Sequence, residues 1–418
     1  MVLSKVANGT TTLLLNIYAV HFLAPAEFGA LTLCTTFLVL LDGLFGAAID
    51  LAVIKLSPPE ADSHSRVSVE RAAISLKALG CISFGTALVT FAHPIGRLLL
   101  HQDGARPLFL AWSIAATAVM VMRSSQLALQ VRHYYKTYAC IELLNTASRI
   151  SLVVWVMHHG HRSSVSVMTC YAIGSVFAFS VGLLTLIRLT QVRWWWGLQG
   201  ASKLIRAGRT ALATYGFSAM VSRLDIILLA ILANPAQLGI YGSAMTLASI
   251  PEIASTYLAP AFLPRIVPYC RQGVFLTFFK RFHILLYGSM ILAYCLAILL
   301  IPKVGPLILP PKYIPALPVI AVLLPGTLAT ASIFPLSLNL LMLRNSKVFL
   351  IFDCMATPTL IIAYWLAADR KIIIIAAITS IFRIAKTCII QIKASRYAVL
   401  AQEELLEALP VEETSGFF

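Results

Sequence analysis

The sequence predicts an all-α, polytopic membrane protein with about 12 transmembrane helices in two parallel six-helix bundles around a central cavity. Of its 418 residues, 59% are hydrophobic and only 12% are charged, and the mean hydropathy is +0.86. A water-soluble fold could not bury so much apolar surface. Long runs such as 284–301 and 372–381 carry no charge, as helices that cross a bilayer require.

Hydropathy windows of about 20 residues give the spans in chain order. The predicted spans are 6–24, 30–54, 72–92, 108–130, 138–157, 165–187, 211–232, 240–262, 284–302, 316–343, 348–366 and 372–391. Alternate connections are rich in Lys and Arg, for example around Arg66, Arg132 and Arg188, whereas the others hold few. By the positive-inside rule the basic connections are cytoplasmic. We therefore expect a multi-pass protein of the cytoplasmic (inner) membrane with both termini in the cytoplasm.

The net charge of +15 does not indicate a nucleic-acid partner, because the basic residues lie between hydrophobic spans rather than on one patch. It suits contact with anionic membrane lipids or with an anionic substrate. No glycine-rich nucleotide loop, no metal-ligand spacing and no long soluble loop with catalytic carboxylates is present in the sequence. We therefore expect no cofactor, no metal site and no enzymatic activity.

A short internal repeat indicates that the chain has two equivalent halves. Pro25-Ala26-Glu27-Phe28-Gly29-Ala30-Leu31 recurs as Pro235-Ala236-Gln237-Leu238-Gly239-Ile240-Tyr241. Both copies fall between the first two helices of a predicted half, and two even-numbered halves enter the membrane in the same sense. Chance recurrence of a Pro-Ala turn is the alternative.

The repeat divides the chain into four predicted regions. Residues 1–190 form the N-terminal bundle, 191–210 a basic cytoplasmic linker, 211–395 the C-terminal bundle and 396–418 an acidic cytoplasmic tail. The linker carries the cluster Trp194-Trp195-Trp196, which favours a membrane interface.

Several short motifs in the second half resemble one known family. The motifs are Ser222-Arg223-Leu224-Asp225, Leu238-Gly239-Ile240-Tyr241, Phe262-Leu263-Pro264-Arg265 and Lys312-Tyr313, with Glu27-Phe28-Gly29 in the first half. In this order they are similar to the polysaccharide (Wzx-type) flippases of the multidrug/oligosaccharidyl-lipid/polysaccharide exporter superfamily. The resemblance covers nearly the whole chain.

The resemblance implies translocation of an undecaprenyl-pyrophosphate-linked oligosaccharide across the cytoplasmic membrane by alternating access, for surface polysaccharide (O-antigen or exopolysaccharide) biosynthesis. The partners that it implies are the lipid-linked substrate, membrane lipids, a polysaccharide polymerase and glycosyltransferases, with proton or sodium coupling.

Ionisable residues inside the predicted spans are the candidate functional residues, because burying a charge in lipid is costly and those retained usually face the bundle interior. The predicted substrate-binding residues are Arg149, Arg223, Arg383, Arg123 and Asn145. The predicted ion-coupling or pairing residues are Asp225, Glu142, Asp50, Asp42 and Glu252. A guanidinium stays charged and can hold two phosphate oxygens, so the arginines would form one cationic cavity for the pyrophosphate.

Helical periodicity gives these residues an orientation. Glu142, Asn145 and Arg149 share one helical face. Arg223 lies about 200° of rotation from Asp225 on a continuous helix and should face elsewhere. The alternative is that the charges only pair with one another, Glu142 with an arginine or Arg223 with an acid.

Three other functions compete with a flippase. A cation-coupled multidrug exporter of the same superfamily would favour an acidic or aromatic cavity, a membrane-embedded enzyme would need a larger soluble loop, and a scaffold would need no buried arginines. The arginines favour an anionic substrate.

Overall fold

The computed structural model describes residues 2–57, 63–190, 196–255, 275–333, 347–367 and 372–408. Within these ranges the chain is helical apart from short connections, and none of these residues lies in a β-strand. The predicted all-α class is therefore confirmed. Trp194, Trp195 and the step from Phe262 to Arg265 fall outside the described residues.

The N-terminal part of the chain alternates long helices with short turns. Its elements are α1 (Val2–Phe22), α2 (Pro25–Leu41), a π-helical turn (Asp42–Gly46), α3 (Ala47–Leu56), α4 (Ser63–Thr90), α5 (Ala92–Leu100), α6 (Arg106–Val131), α7 (Tyr135–His158) and α8 (Ser164–Thr190).

The C-terminal part also consists mainly of long helices. Its elements are α9 (Ala201–Ser222), α10 (Leu224–Leu232), α11 (Pro235–Ala248), α12 (Phe275–Ile308), a 3-10 turn (Pro311–Tyr313), α13 (Ala316–Ile333), α14 (Lys347–Ala367) and α15 (Ile372–Ala408).

Most of the long helices have the length and composition of membrane spans. Among the described residues, nine helices pass this test, and a tenth is added when α9 and α10, bent by 46°, count as one broken span. The chain is thus a multi-pass membrane protein. The predicted count of twelve exceeds what these residues support.

Two helices extend past the boundaries that hydropathy predicted. Helix α9 begins at Ala201, inside the predicted linker 191–210, and α15 continues to Ala408, past the predicted boundary at 396. Basic residues such as Lys203 and Arg206 are good helix formers but lower the hydropathy of a window. The helices therefore continue where the apolar windows end.

Trp112 of α6 joins three N-terminal helices. Its Nε1 donates to the Cys34 backbone oxygen of α2 at 2.6 Å. Its ring packs edge-on against Phe37 and Phe84, with ring centroids 5.9 and 5.8 Å away. Such aromatic pairs add to the burial energy and fix the relative rotation of the helices. They hold α2 and α4 against α6.

The two copies of the sequence repeat form the crossing between α2 and α11. Pro25 and Pro235 each occupy a first-turn position, where proline needs no hydrogen-bond partner. A methyl group on Gly29 would meet the backbone of Pro235 and Gly239, and one on Gly239 would meet the backbone of Pro25 and Gly29. The contact is reciprocal, and glycine permits it because no Cβ separates the two backbones.

The 3-10 turn ties the C-terminal part to the connection between α1 and α2. Lys312 Nζ donates to the backbone oxygens of Leu23 at 2.6 Å and His21 at 3.2 Å. Tyr313 Oη donates to the same Leu23 oxygen at 3.2 Å. Burial, and then the positive charge of Arg162, lower the pKa of Lys312. This end of the molecule is therefore held by the glycine crossing and by the 3-10 turn together.

The tight crossing predicts that even a methyl group at Gly239 lowers the stability of the protein. Gly239→Ala should lower the free energy of unfolding by about 1–3 kcal/mol, because the methyl group meets backbone that cannot rotate away. Gly288→Ala is the matched control, because this glycine of α12 has open space around its Cβ position and alanine favours helix. Thermal unfolding in detergent should show a lower midpoint for Gly239→Ala alone. Equal midpoints for both variants would contradict a tight crossing.

Candidate functional site

One cavity among the described helices, the arginine cavity, collects three of the predicted arginines. It has a volume of about 360 Å³ and is lined by residues of α1, α2, α6, α7, α8, α10 and α11, including Arg123, Arg149 and Arg223. No aspartate or glutamate is among its described lining residues. Its charge is therefore positive and uncompensated within the lining.

Arg149 of α7 reaches this cavity and makes no ion pair with an acid in the described ranges. Its guanidinium lies over the ring of Tyr171, with 3.9 Å between Cζ and the ring centroid. Its Nε is buried and has no hydrogen-bond partner. A cation over an aromatic face is stabilised by the ring quadrupole, which leaves the N–H groups at the edge of the guanidinium available to an anion.

Arg223 lies at a break between α9 and α10 rather than on a continuous helix. Its φ of −123° interrupts the helical geometry. The expected rotation of 200° from Asp225 therefore does not apply, although the two residues do line different cavities. The Arg223 side chain makes no hydrogen bond or ion pair with any residue in the described ranges. The main-chain break therefore accompanies a second cation, Arg223, in the lining of the cavity.

Arg123 of α6 is the third cation, and it has an acidic neighbour. Its Nη1 contacts Asp42 Oδ1 at 2.6 Å, and the two side chains are 43% and 39% exposed. Asp42 begins the π-helical turn that connects α2 and α3, and such turns are frequent at functional sites. Because the pair is solvent-accessible, its net stabilisation is small and a stronger anion could compete for Arg123.

The rest of the polar lining consists of amides and hydroxyls. These residues are Asn8, Thr12, Asn16, Thr32, Thr35, Thr36, Tyr171, Thr246 and Ser249. Thr32, Thr36 and Thr246 donate their protons to backbone oxygens within their own helices, at 2.8, 2.9 and 2.9 Å. The hydroxyl oxygens keep lone pairs that can accept hydrogen bonds. This wall can therefore bind groups with many O–H or N–H donors.

The second cavity, the acid–base cavity, has a volume of about 430 Å³ and lies mainly among the C-terminal helices. Its acidic and basic lining residues are Asp42, Asp225, Glu252, Arg383 and Lys386. In contrast to the arginine cavity, it holds charges of both signs.

Asp225 is the most enclosed acid of this cavity, with 2% exposure. Its Oδ2 accepts a hydrogen bond from Tyr241 at 2.5 Å, and its Oδ1 accepts one from the Ile226 backbone nitrogen at 2.9 Å. Thr379 lies 3.2 Å from the Tyr241 hydroxyl and 2.9 Å from the Tyr364 hydroxyl. The carboxylate therefore ends a chain of hydroxyl groups that connects α10, α11, α14 and α15.

Arg383 does not join the other arginines. Its Nη1 lies 3.3 Å from Glu252 Oε2, and the two side chains are 12% and 28% exposed. The sequence had grouped Arg383 with Arg149 and Arg223 in one cationic cavity, and the structure separates it. Helical periodicity orients a residue on its own helix but cannot identify its neighbour on another helix.

Glu142 and Asn145 share a face with Arg149 but do not line the arginine cavity. Glu142 accepts hydrogen bonds from Asn8 and, at 2.7 Å, from Gln126 Nε2. Asn145 Oδ1 accepts one from Ser175 at 3.3 Å. In place of the arginine that the alternative interpretation gave Glu142, amide donors bind its carboxylate without a second buried charge.

One buried lysine and one partly buried lysine were missing from the sequence prediction. Lys77 of α4 is fully buried and contacts Asp50 at 2.5 Å. Lys386 contacts the buried Asp353 at 2.6 Å and Ser218 Oγ at 3.2 Å. All four charges fall inside predicted spans, so hydropathy windows contained the signal that could have found Lys77, Lys386 and Asp353. The partners Asn8, Gln126 and Tyr241 carry no such signal.

Comparisons with known proteins agree on the fold. A family model described as "Polysaccharide biosynthesis protein" matches residues 1–269. No curated protein matches the chain.

Solved structures similar to this chain are membrane transporters. One is the lipid II flippase MurJ in an inward closed conformation, with a TM-score of 0.66 and 11% identity over 97% of this chain and 90% of that chain. Another is an inward-facing multidrug resistance MATE family transporter of the MOP superfamily, with a TM-score of 0.62 and 10% identity over 98% and 100%. The eukaryotic MATE transporter AtDTX14 has a TM-score of 0.61 and 14% identity over 97% of both chains. At these identities the likeness establishes the fold.

The Lys77–Asp50 pair gives a prediction about stability. Lys77→Met should destabilise the protein by up to about 3–5 kcal/mol, because it leaves a largely buried carboxylate unpaired. Adding Asp50→Asn should recover part of the loss. Arg97→Gln, which removes the exposed Arg97–Asp103 pair, should change nothing measurable. Thermal unfolding of the four proteins tests this, and failure of the double variant to recover would exclude pairing as the cause.

Proposed function

We propose that this chain, which belongs to the polysaccharide biosynthesis protein family, translocates an undecaprenyl-pyrophosphate-linked oligosaccharide across the cytoplasmic membrane by alternating access. Its fold is that of the MOP-type transporters. The observation that carries the proposal is the arginine cavity, with three arginines and no acid among its described lining residues.

The cations suit a diphosphate better than they suit internal pairing. Unpaired guanidinium groups in a low-dielectric interior are costly, and an anion that binds there lowers that cost. Arg149 and Arg223 have no ion pair in the described part of the chain, so both can receive phosphate oxygens in bidentate geometry. Arg123 can exchange its exposed partner Asp42 for a phosphate. Two permanent cations and one exchangeable cation would then hold the head group.

The hydroxyl and amide wall suits the oligosaccharide. A sugar presents hydroxyl donors in many directions, and the threonine oxygens of α2 and α11 can accept them. These hydroxyl and amide groups do not require a particular sugar. This agrees with a site that recognises the diphosphate and accepts different glycans.

We further propose twelve spans in two parallel six-helix bundles, with both termini in the cytoplasm. Helix α1 and helix α11 are not among the ten candidate spans, and adding them would give twelve. The reciprocal contact of Gly29 with Gly239 supports the duplication, and the charge alternation of the connections supports the orientation. The Gly29–Gly239 crossing would then lie on the outer side of the membrane and would part in the outward-facing state.

The acid–base cavity is the proposed site of proton or sodium coupling. Asp225 and Glu252 lie next to Arg383, so the protonation or ion occupancy of these acids changes the charge balance beside the arginine cavity. Asp42 lines the acid–base cavity and contacts Arg123 of the arginine cavity. It is thus a direct electrostatic connection between coupling and substrate binding.

Removal of either unpaired arginine should abolish transport. Arg149→Ala and Arg223→Ala should each weaken binding of undecaprenyl diphosphate to the purified protein by roughly tenfold or more, because each loses charge-assisted hydrogen bonds. Surface glycan export in cells should be lost at normal protein level. Lysine at either position should restore part of the binding, since it keeps the charge but not the bidentate geometry.

Arg206→Ala is the matched control for charge, because Arg206 is exposed on α9 and lies outside both cavities. It should bind and export as the wild type does. Normal export by both cavity variants would overturn the proposed binding site. Efflux of cationic dyes without binding of the diphosphate lipid would favour a multidrug exporter instead.

The coupling site is tested separately. Asp225→Asn should remove the dependence of vesicle transport on a proton or sodium gradient, because the amide keeps the size of the side chain but cannot change charge. Asp103→Asn, which alters an exposed carboxylate outside the spans, should keep the gradient dependence. Unchanged gradient dependence in Asp225→Asn would assign coupling to another residue.

A further inference from the structure

We propose that the outer face of α4, α6 and α8 holds an anionic phospholipid, with its acyl chain in an apolar groove and its phosphate on Arg71. This site lies apart from the arginine cavity and would bind a resident lipid rather than the transported one.

The groove is a concave strip on the membrane-facing surface. One section has a volume of about 630 Å³ and contains Ala78, Val121 and Trp196. A second section has a volume of about 670 Å³. Ile114 and Val176 line both sections, so the groove continues along α6 and α8. Ile114 is 46% exposed, as a residue that contacts a hydrocarbon chain from the bilayer would be.

Arg71 lies at one end of the groove on the same face of α4. Arg71, Ile74, Ala78 and Ile82 follow helical spacing, and the last three line the groove. Arg71 is half-buried, its Nε is buried without a hydrogen-bond partner, and it forms no ion pair with a described residue. Long side chains on a helix point toward its N-terminus, here away from the groove and toward the predicted cytoplasmic interface. A phosphate there could bind the part of this half-buried side chain that remains accessible.

Two neighbours mark the same end as an interface. Trp196 lines the groove and is 44% exposed, which suits an indole between hydrocarbon and head groups. Arg188, exposed on α8, directly follows the groove residue Ile187. Two cations at the end of the groove that also holds an exposed tryptophan favour an anionic head group over a zwitterionic one.

The head-group end is also where the connection between the two halves is attached. The Gly197 backbone nitrogen donates to Ser75 Oγ at 2.9 Å, and Ser68 Oγ donates to the Gln199 oxygen at 3.0 Å. A lipid bound between Arg71 and Trp196 would therefore stabilise this attachment to α4.

The groove faces away from the arginine cavity. Its position therefore suits a resident phospholipid rather than the transported lipid. On α6, Val121 lines the groove and Arg123 lines the cavity, and residues two apart lie about 200° apart around a helix. A lipid in the groove thus has α6 and α8 between its head group and the cationic cavity. A transported lipid would have to leave this groove before reaching its carrier site.

The experiment measures lipid binding to the purified full chain by native mass spectrometry. Phosphatidylglycerol should bind more tightly than phosphatidylcholine. Arg71→Gln should weaken phosphatidylglycerol binding by roughly tenfold, because it removes a charge-assisted hydrogen bond. Ile114→Trp should weaken it as well, because the exposed position allows the indole to fill the groove.

Two controls match these changes. Arg206→Gln removes an exposed charge on α9, and Leu285→Trp adds an indole at a residue of α12 that is 74% exposed; both should bind phosphatidylglycerol as the wild type does. Undecaprenyl phosphate in equal amount should not displace phosphatidylglycerol. Displacement, equal binding of the two phospholipids, or wild-type binding by Arg71→Gln would each overturn the proposal. Arg149→Ala should keep this site intact, so the result is independent of the transport proposal.

Discussion

A positive charge inside a membrane-embedded helical bundle needs an anion or an oriented dipole close to it, because the surrounding dielectric is too low to screen it. Three buried or partly buried cations among the described residues have such a partner: Lys77 has Asp50, Lys386 has Asp353 and Arg383 has Glu252. Among the described residues, Arg149 has an aromatic ring beside it but no ion pair, and Arg223 has no ion pair. The proposed function follows from this difference, since an external anion would satisfy what the protein does not.

The glycine crossing determines where these cations can meet. Thr32 lies beyond Gly29 on α2 and Gly242 lies beyond Gly239 on α11, and both line the arginine cavity. A methyl group on Gly242 would collide with Thr32, so the two helices remain close along this stretch. The crossing therefore forms a wall of the cavity. Parting it would change the cavity and its access together, as the proposed alternating access would require.

Irregular helix geometry contributes as much to the site as residue identity. The π-helical turn directs Asp42 toward Arg123, and the break after Ser222 directs Arg223 away from Asp225 into a different cavity. Both irregularities lie inside long apolar segments that a hydropathy window averages into single spans. Ser218, Ser222 and Asp225 nevertheless line one cavity, although the break lies between Ser222 and Asp225. Periodicity did not bring Asn145 to the arginine cavity.

The sequence by itself determined that the helices lie in lipid, that the fold is all-α, and that a repeat occurs at Pro25 and Pro235. It also identified the charges inside the spans that needed an explanation. Each of these follows from composition and local spacing. Tertiary structure decided which charge meets which. Arg383 contacts Glu252 from a distant helix, and Glu142 binds Asn8 and Gln126. Such partners depend on how helices far apart in the chain rotate and cross, and the free energy of that packing is shared among many side chains that no local pattern describes.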